Sequence, residues 1–170
     1  MPISECCNTT VVCCEVNATV THVADLMRRH HVGDVVVTEW RDDNRIPVGI
    51  VTDRDIVVEM IAMQLDIDIF TAGDIMTEPV VSVRENEGII ETLRLMRAYK
   101  IRRMPVVNQA GALFGIVTAD DLINLLAMEF SMMTGTIVEQ PSQESKLRKS
   151  GYAAAGNISA PPGAQPPQQH

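Results

Sequence analysis

One segment of this chain occurs twice. Residues 18–27 read ATVTHVADLM, and residues 87–96 read EGIIETLRLM. Met27 and Met96 stand 69 residues apart. The same offset carries Val11-Val12 onto Val80-Val81, Val20 onto Ile89, Val32 onto Ile101, and Val35-Val36-Val37 onto Met104-Pro105-Val106. The tetrapeptide Gly-Ile-Val-Thr also appears twice, at 49–52 and at 115–118, with an offset of 66. The first copy therefore carries three extra residues, assigned to a polar loop over Glu39–Arg45. A unit of roughly 60 residues buries too little surface to be secure alone, so two copies are expected to share a core.

Each copy reads the same way. A short extended lead-in comes first (Val11–Cys14; Val80–Val83). An amphipathic helix follows, with apolar residues at 20, 23, 24 and 27, and at 89, 90, 93 and 96. Two strands come next: Val35–Val37 with Gly49–Val51, and Val106–Val107 with Leu113–Val117. A second helix closes each copy, over about 53–63 and 119–133. The expected architecture is α/β (α+β), with two pseudo-symmetric β-α-β-β-α repeats at 1–66 and 67–133. A C-terminal tail over 134–170, rich in Pro, Gly, Ala and Gln, cannot offset its chain entropy by burial and reads as flexible. Its basic cluster Lys146-Leu147-Arg148-Lys149 reads as a solvated charge run.

Charge narrows the function classes. The 22 acidic and 14 basic residues give a net charge of −8, which opposes a nucleic-acid surface or docking on an anionic membrane. A small anion is not excluded, because local charge can oppose global charge. No secretory signal and no stretch of about 20 apolar residues is present, so a cytoplasmic protein without a membrane span is expected. In that setting the Asn-x-Ser/Thr sequons at Asn8, Asn17 and Asn157 carry no meaning.

The candidate chemistry lies at two helix starts. Thr52-x-x-Asp55 and Thr118-x-x-Asp121 each follow an apolar strand. Such a pattern makes a capping box, in which the Thr oxygen and the acid satisfy free backbone donors reciprocally. The same helix start also offers N–H donors and positive potential to a phosphate, with a carboxylate at hand for ribose hydroxyls. Both readings stand on the residues alone.

The chain resembles the CBS-domain family, named after cystathionine β-synthase. The residues that carry the resemblance are Leu26-Met27 and Leu95-Met96, Asp74-Ile75-Met76-Thr77, and Arg103-Met104-Pro105-Val106-Val107. They continue in Gly49-Ile50-Val51-Thr52-Asp53-Arg54-Asp55 and Gly115-Ile116-Val117-Thr118-Ala119-Asp120-Asp121. The likeness spans residues 2–133 and leaves the tail outside. It implies a stand-alone tandem pair that binds an adenosine nucleotide (AMP, ADP or ATP, or else NAD(H) or S-adenosylmethionine) between its repeats. Thr52, Asp55, Thr118 and Asp121 would hold ribose and phosphate. Arg103 would contact phosphate through its guanidinium fork, and Met104 and Pro105 after it would also line the ligand site. The matching position in the first copy is Asp34, which would repel phosphate, so unequal clefts are expected. The resemblance further implies a homodimer through the closing helices, whose apolar residues cover more than one face, and a downstream protein partner of unknown identity.

Two other readings compete. One is a dimerising scaffold whose Thr-x-x-Asp boxes only cap helices. The other is a redox protein using the vicinal pairs Cys6-Cys7 and Cys13-Cys14. The repeat sets these cysteines opposite Ile75, Met76, Ser82 and Val83, which favours packing over chemistry. The histidines His22, His30, His31 and His170 lack ligand spacing, so no metal is expected. No catalytic constellation is visible, and the chain reads as a binding module and not an enzyme.

Overall fold

The computed structural model describes residues 1–134. The flexible tail and the Lys146–Lys149 cluster expected from the sequence lie outside these residues. Met1–Leu126 make one compact unit. Its elements are a 3-10 turn Ile3–Glu5, β1 Cys13–Glu15, α1 Val20–His30, β2 Asp34–Arg41, β3 Asn44–Thr52, α2 Asp53–Asp55 running into a π-helical stretch Ile56–Ile61, α3 Ala72–Ile75, β4 Val83–Arg84, α4 Ile89–Tyr99, β5 Arg103–Val107 and β6 Leu113–Thr118. A further helix, α5, starts at residue 119. Helical residues 127–134 belong to a second unit, in which Met128, Phe130, Met132 and Met133 are exposed.

Two three-stranded sheets, β1-β2-β3 and β4-β5-β6, repeat one topology. In each, the first pair is parallel and the second antiparallel. Both ladders slip at matching places, between Val37 and Thr38 and between Val106 and Val107. Each sheet has its own core. The first holds Val20, Val23, Met27, Val35, Val37 and Val51, and the second holds Val83, Met96, Met104, Val106 and Val117. A third cluster, Val36, Ile50 and Ile116, draws on both repeats and joins them.

The lead-in of each repeat crosses to the other. Ile3, fully buried, packs in the second core with Cys6 and Cys7 beside it. Ala72, Ile75 and Met76 pack on the first core. The crossing is sealed by backbone bonds: Asn8 and Ile116 exchange N–H···O bonds of 2.8 Å, and the Thr77 N–H donates to Ile50 at 2.9 Å. This explains the repeated glycine in Gly-Ile-Val-Thr. A Cβ on Gly49 would lie 2.7 Å from Met76 Cγ, and one on Gly115 would lie 2.8 Å from Cys7 Sγ and 2.9 Å from the Asn8 carbonyl. Glycine is the residue that permits so close a backbone approach.

Several expected elements are corrected. The lead-in strands begin later, at Cys13 and Val83, and Val11 and Val80 before them pack against the cluster between repeats. The supposed polar loop over Glu39–Arg45 is mostly strand. β2 and β3 lengthen into a hairpin closed by Asp42 and Asp43, both at positive φ (46° and 61°), which suits the twist of a tight two-residue turn. In α4 the inward position is not Ile90, which is 57% exposed, but Thr92. Thr92 is the repeat mate of Val23, and its hydroxyl can be buried because it donates to the Gly88 carbonyl at 2.9 Å. The first closing helix keeps only one α turn before its π stretch, where Ala62 N–H bonds Val57 at 2.9 Å.

Candidate functional site

Both Thr-x-x-Asp boxes form. Asp55 Oδ2 accepts from the Thr52 N–H at 2.8 Å and from its hydroxyl at 2.7 Å, while Thr52 Oγ1 accepts from the Asp55 N–H at 3.2 Å. Thr118 and Asp121 make the same three bonds at 3.1, 2.6 and 3.2 Å. Thr71 and Asp74 make a further box at the start of α3. These bonds pull the Asp74 carboxyl below its ordinary value, the Thr71 backbone contributing most. Each acid carries a capping duty whether or not a ligand is held.

Only one of the two predicted helix starts opens onto the cavity that receives Arg103. This cavity, of about 410 Å³, lies between the repeats. Repeat 1 contributes Ile50, Thr52, Asp53 and Arg54; Thr77, Pro79 and Val80-Val81 form its floor; Lys100, Ile101, Arg102 and Arg103 close it from repeat 2. Thr52 thus meets Arg103 across the repeats, while Thr118 and Asp121 start α5 outside this lining. Asp55 stays behind Thr52, held by the box. Met104 does not reach the cavity. Strand alternation turns it, fully buried, into the second core while Arg103 faces the lining. Pro105 is buried opposite Ile116 in the β5–β6 ladder and also lies outside the lining.

Four cations therefore line one cavity of an acidic chain. Arg102 pairs with Asp120 at 2.9 Å, both side chains well exposed. Such a surface pair is worth about 0.2–1 kcal/mol, so Arg102 is readily redirected. Arg103 pairs with Asp34 in a more sheltered setting, the side chains being 33% and 14% exposed. No ion pair involves Arg54 or Lys100 among the described residues. Asp53 adds one carboxylate to the lining, and its Oδ1 accepts from the Arg54 N–H at 2.8 Å.

Sequence reasoning missed Arg54, Lys100, Thr77 and Pro79. Arg54 was in view as an unassigned place within Thr52-x-x-Asp55. Lys100 ends α4 in the left-handed conformation (φ 57°), as His31 ends α1 (φ 54°), so the repeat itself marked the position. Thr77 closes the Asp74–Thr77 motif and crosses to repeat 1 by its bond to Ile50.

The cysteines are free thiols. Burial, the largest cause in each case, raises the pKa of all four, and pushes Cys14 up to about 11. Arg45 draws Cys13 back without outweighing burial. Such thiols stay protonated near neutrality and are poor nucleophiles. Among the described residues no cluster of three His, Cys, Asp or Glu could hold a metal ion, and no helix is long and apolar enough to cross a membrane.

Two interlocked βαββα repeats around a shared cavity define a CBS pair. The CBS domain matches residues 3–62 and 72–128, and the chain belongs to this family. It is 37% identical over 107 residues to a protein of Methanopyrus kandleri, covering 63% of this chain and 53% of that one. The chain thus spans about half the length of that relative. It is 36% identical over 115 residues to Hypoxic response protein 1 of Mycobacterium tuberculosis, covering 68% of this chain and 78% of that protein. The solved structure of Hypoxic Response Protein I, with two coordinated zinc ions, superposes with a TM-score of 0.63 over 73% of this chain and 98% of that one, at 33% identity. The CBS domain pair of protein MJ0100, solved with 5-methylthioadenosine and S-adenosyl-L-methionine, shares the fold at a TM-score of 0.64 and 22% identity, covering 74% and 99%.

Proposed function

We propose that this chain is a regulatory module that binds a phosphorylated adenosine ligand, with AMP, ADP or ATP preferred, in the cavity between its repeats. The observation that carries the reading is the convergence of Arg54, Lys100, Arg102 and Arg103 on a cavity of about 410 Å³, in a chain of net charge −8. That concentration of donors suits phosphate oxygens, and guanidinium groups suit them bidentately. The apolar floor of Pro79, Val80 and Val81 suits a purine ring. The binding of adenosine compounds by the MJ0100 pair supports the adenosine part of the reading. The cation set ranks NAD(H) behind the nucleotides and the sulfonium of S-adenosylmethionine last.

Thr52 and the start of α2 receive the ribose and phosphate, with Asp55 released from its box or sharing it. The Thr118–Asp121 start serves the opposite cleft, which takes a neutral adenosine-like group or stays empty. The module acts in the cytoplasm by binding and change of shape, without catalysis, and passes occupancy to a protein partner. Val57, Val58, Ile61, Ile123 and Leu126, exposed on the closing helices, support a homodimer through that face. The same face would serve a ligand-free scaffold.

Isothermal titration with adenosine, AMP, ATP, NAD and S-adenosylmethionine tests the proposal. AMP or ATP should bind more tightly than adenosine, and Arg54→Gln with Lys100→Gln should remove most of that difference. Absence of binding by every compound at millimolar concentration overturns the sensor in favour of the scaffold.

A further inference from the structure

The residue that faces Arg103 is its own repeat mate. Asp34 and Arg103 stand 69 residues apart, the repeat offset, and each opens the second strand of its sheet. Their ion pair therefore sits where the two repeats meet. The neighbourhood has the same logic. The Asp53 N–H donates to the Gly33 carbonyl at 3.1 Å, and the Ala119 N–H donates to the Arg102 carbonyl at 2.7 Å. These are matching bonds just before Asp34 and Arg103. Gly33 leaves room there: a Cβ on it would lie 3.3 Å from Asp53 Oδ2 and 3.7 Å from Arg103 Nη1. Arg103 thus has one carboxylate bound to it, and Asp53 lines the same cavity.

This arrangement alters what the cavity can do. Arg103 lines it, and its Nη1 is already engaged by Asp34 Oδ1. Arg54 and Lys100 are the two cations of the lining that no ion pair engages among the described residues. We propose that Asp34 is the specificity-setting residue of this cleft: its carboxylate stands in for a phosphate on Arg103, and only a ligand bearing phosphate can displace it. The exchange is purely ionic. A phosphate oxygen takes the guanidinium N–H donors, and Asp34 turns to solvent, to which it is already partly open. A neutral adenosine gains nothing from the exchange and leaves the pair intact. Displacement also cuts a tie between β2 and β5, so phosphate occupancy and the join between repeats become one event. The adenosine half of this mechanism rests on the function proposed above; the competition for Arg103 does not.

Titration calorimetry on wild type, Asp34→Asn, Arg103→Gln and the double variant separates the two. The probes are adenosine, AMP and inorganic pyrophosphate. Asp34→Asn should tighten AMP and pyrophosphate roughly tenfold or more, the scale of a charge-assisted hydrogen bond no longer competed for, and leave adenosine unchanged. The double variant should lose that gain and match Arg103→Gln. Pyrophosphate tightening without any adenosine or AMP binding supports the competition and overturns the adenosine reading. Equal or weaker phosphate binding in Asp34→Asn overturns the competition, even where AMP binds well. Asp34→Ser guards against misfolding. If both Asp34 variants lose cooperative unfolding by circular dichroism, the pair is an obligate strut, and the proposal fails.

Discussion

The two helix starts that close the repeats look alike and have different surroundings. Thr52-Asp53-Arg54-Asp55 and Thr118-Ala119-Asp120-Asp121 make the same capping bonds. Between the capping residues one carries Asp-Arg and the other Ala-Asp. The entries to β2 and β5 carry opposite charge, with Gly33-Asp34 in the first repeat and Arg102-Arg103 in the second. Because the repeats cross, the arginines of one copy meet the Arg54 of the other, while Asp120 is left to pair with Arg102. The four cations of the cavity, Arg54, Lys100, Arg102 and Arg103, have Asp120, His31, Gly33 and Asp34 as their repeat mates. Backbone hydrogen bonding repeats between the halves, and side-chain charge distinguishes them.

This comparison can be broken first at the glycines. Gly115→Ala should cost about 2–3 kcal/mol in urea unfolding and Gly49→Ala less, the upper and lower parts of the overpacking range. The obstacle at Gly115 includes the Asn8 carbonyl, whereas at Gly49 it is the side chain of Met76. Met76→Ala should therefore relieve most of the cost of Gly49→Ala, its own Cβ remaining 2.9 Å away, and Cys7→Ala should relieve less of that of Gly115→Ala, where the Asn8 carbonyl stays. Equal costs would mean that the two crossings are not differently built.

The capping acids come next. Asp55→Ala and Asp121→Ala should each lower stability by about 1 kcal/mol, the usual worth of a cap. Only Asp55→Ala should also weaken AMP, read by calorimetry. Equal weakening by both would move the site to a cleft shared by the two helix starts.

The inward positions of α1 and α4 sharpen the comparison of cores. Val23→Thr should cost up to about 1 kcal/mol, since its hydroxyl can bond back one turn as that of Thr92 does. Thr92→Val should be close to neutral, because the Gly88 carbonyl keeps its bond from the Thr92 N–H at 3.0 Å.

The last effect is confined to alkaline pH. Cys14 has a folded pKa of about 11 against an ordinary 9.0, so the folded state holds its proton more tightly. Its contribution is full below pH 9 and is lost as pH rises toward 11. Thermal melts should show this loss in wild type and a reduced loss in Cys14→Val. Cys14 should also resist alkylation at pH 8.

The repeat made the fold legible, because offsets of 69 and then 66 residues carried helices and strands from one copy to the other. It could not reveal the crossing, since Ile3 or Met76 reads equally well as core of either copy. Thr92 escaped because a polar residue is legible as core only when its hydrogen-bond partner is known. In the site, Thr52 and Arg103 were visible as types suited to phosphate. That they share a cavity, and that Met104 does not, depends on strand direction and on which repeat lends which edge. The pairing of Asp34 with Arg103 was hidden for the same reason. The sequence places them as equivalents, and equivalents meet only when an axis of pseudo-symmetry runs between them.

The crossed lead-ins carry one more consequence. A molecule with only one such repeat would leave bare the place that Ile3 or Met76 covers, and would have to borrow the missing arm from a second molecule. Two single repeats trading arms would form the same object as this one chain, but its formation would then depend on protein concentration. Joining the repeats in tandem makes the trade internal. The stretch over 62–70 works as a tether that keeps each half supplied with the other's arm at any dilution.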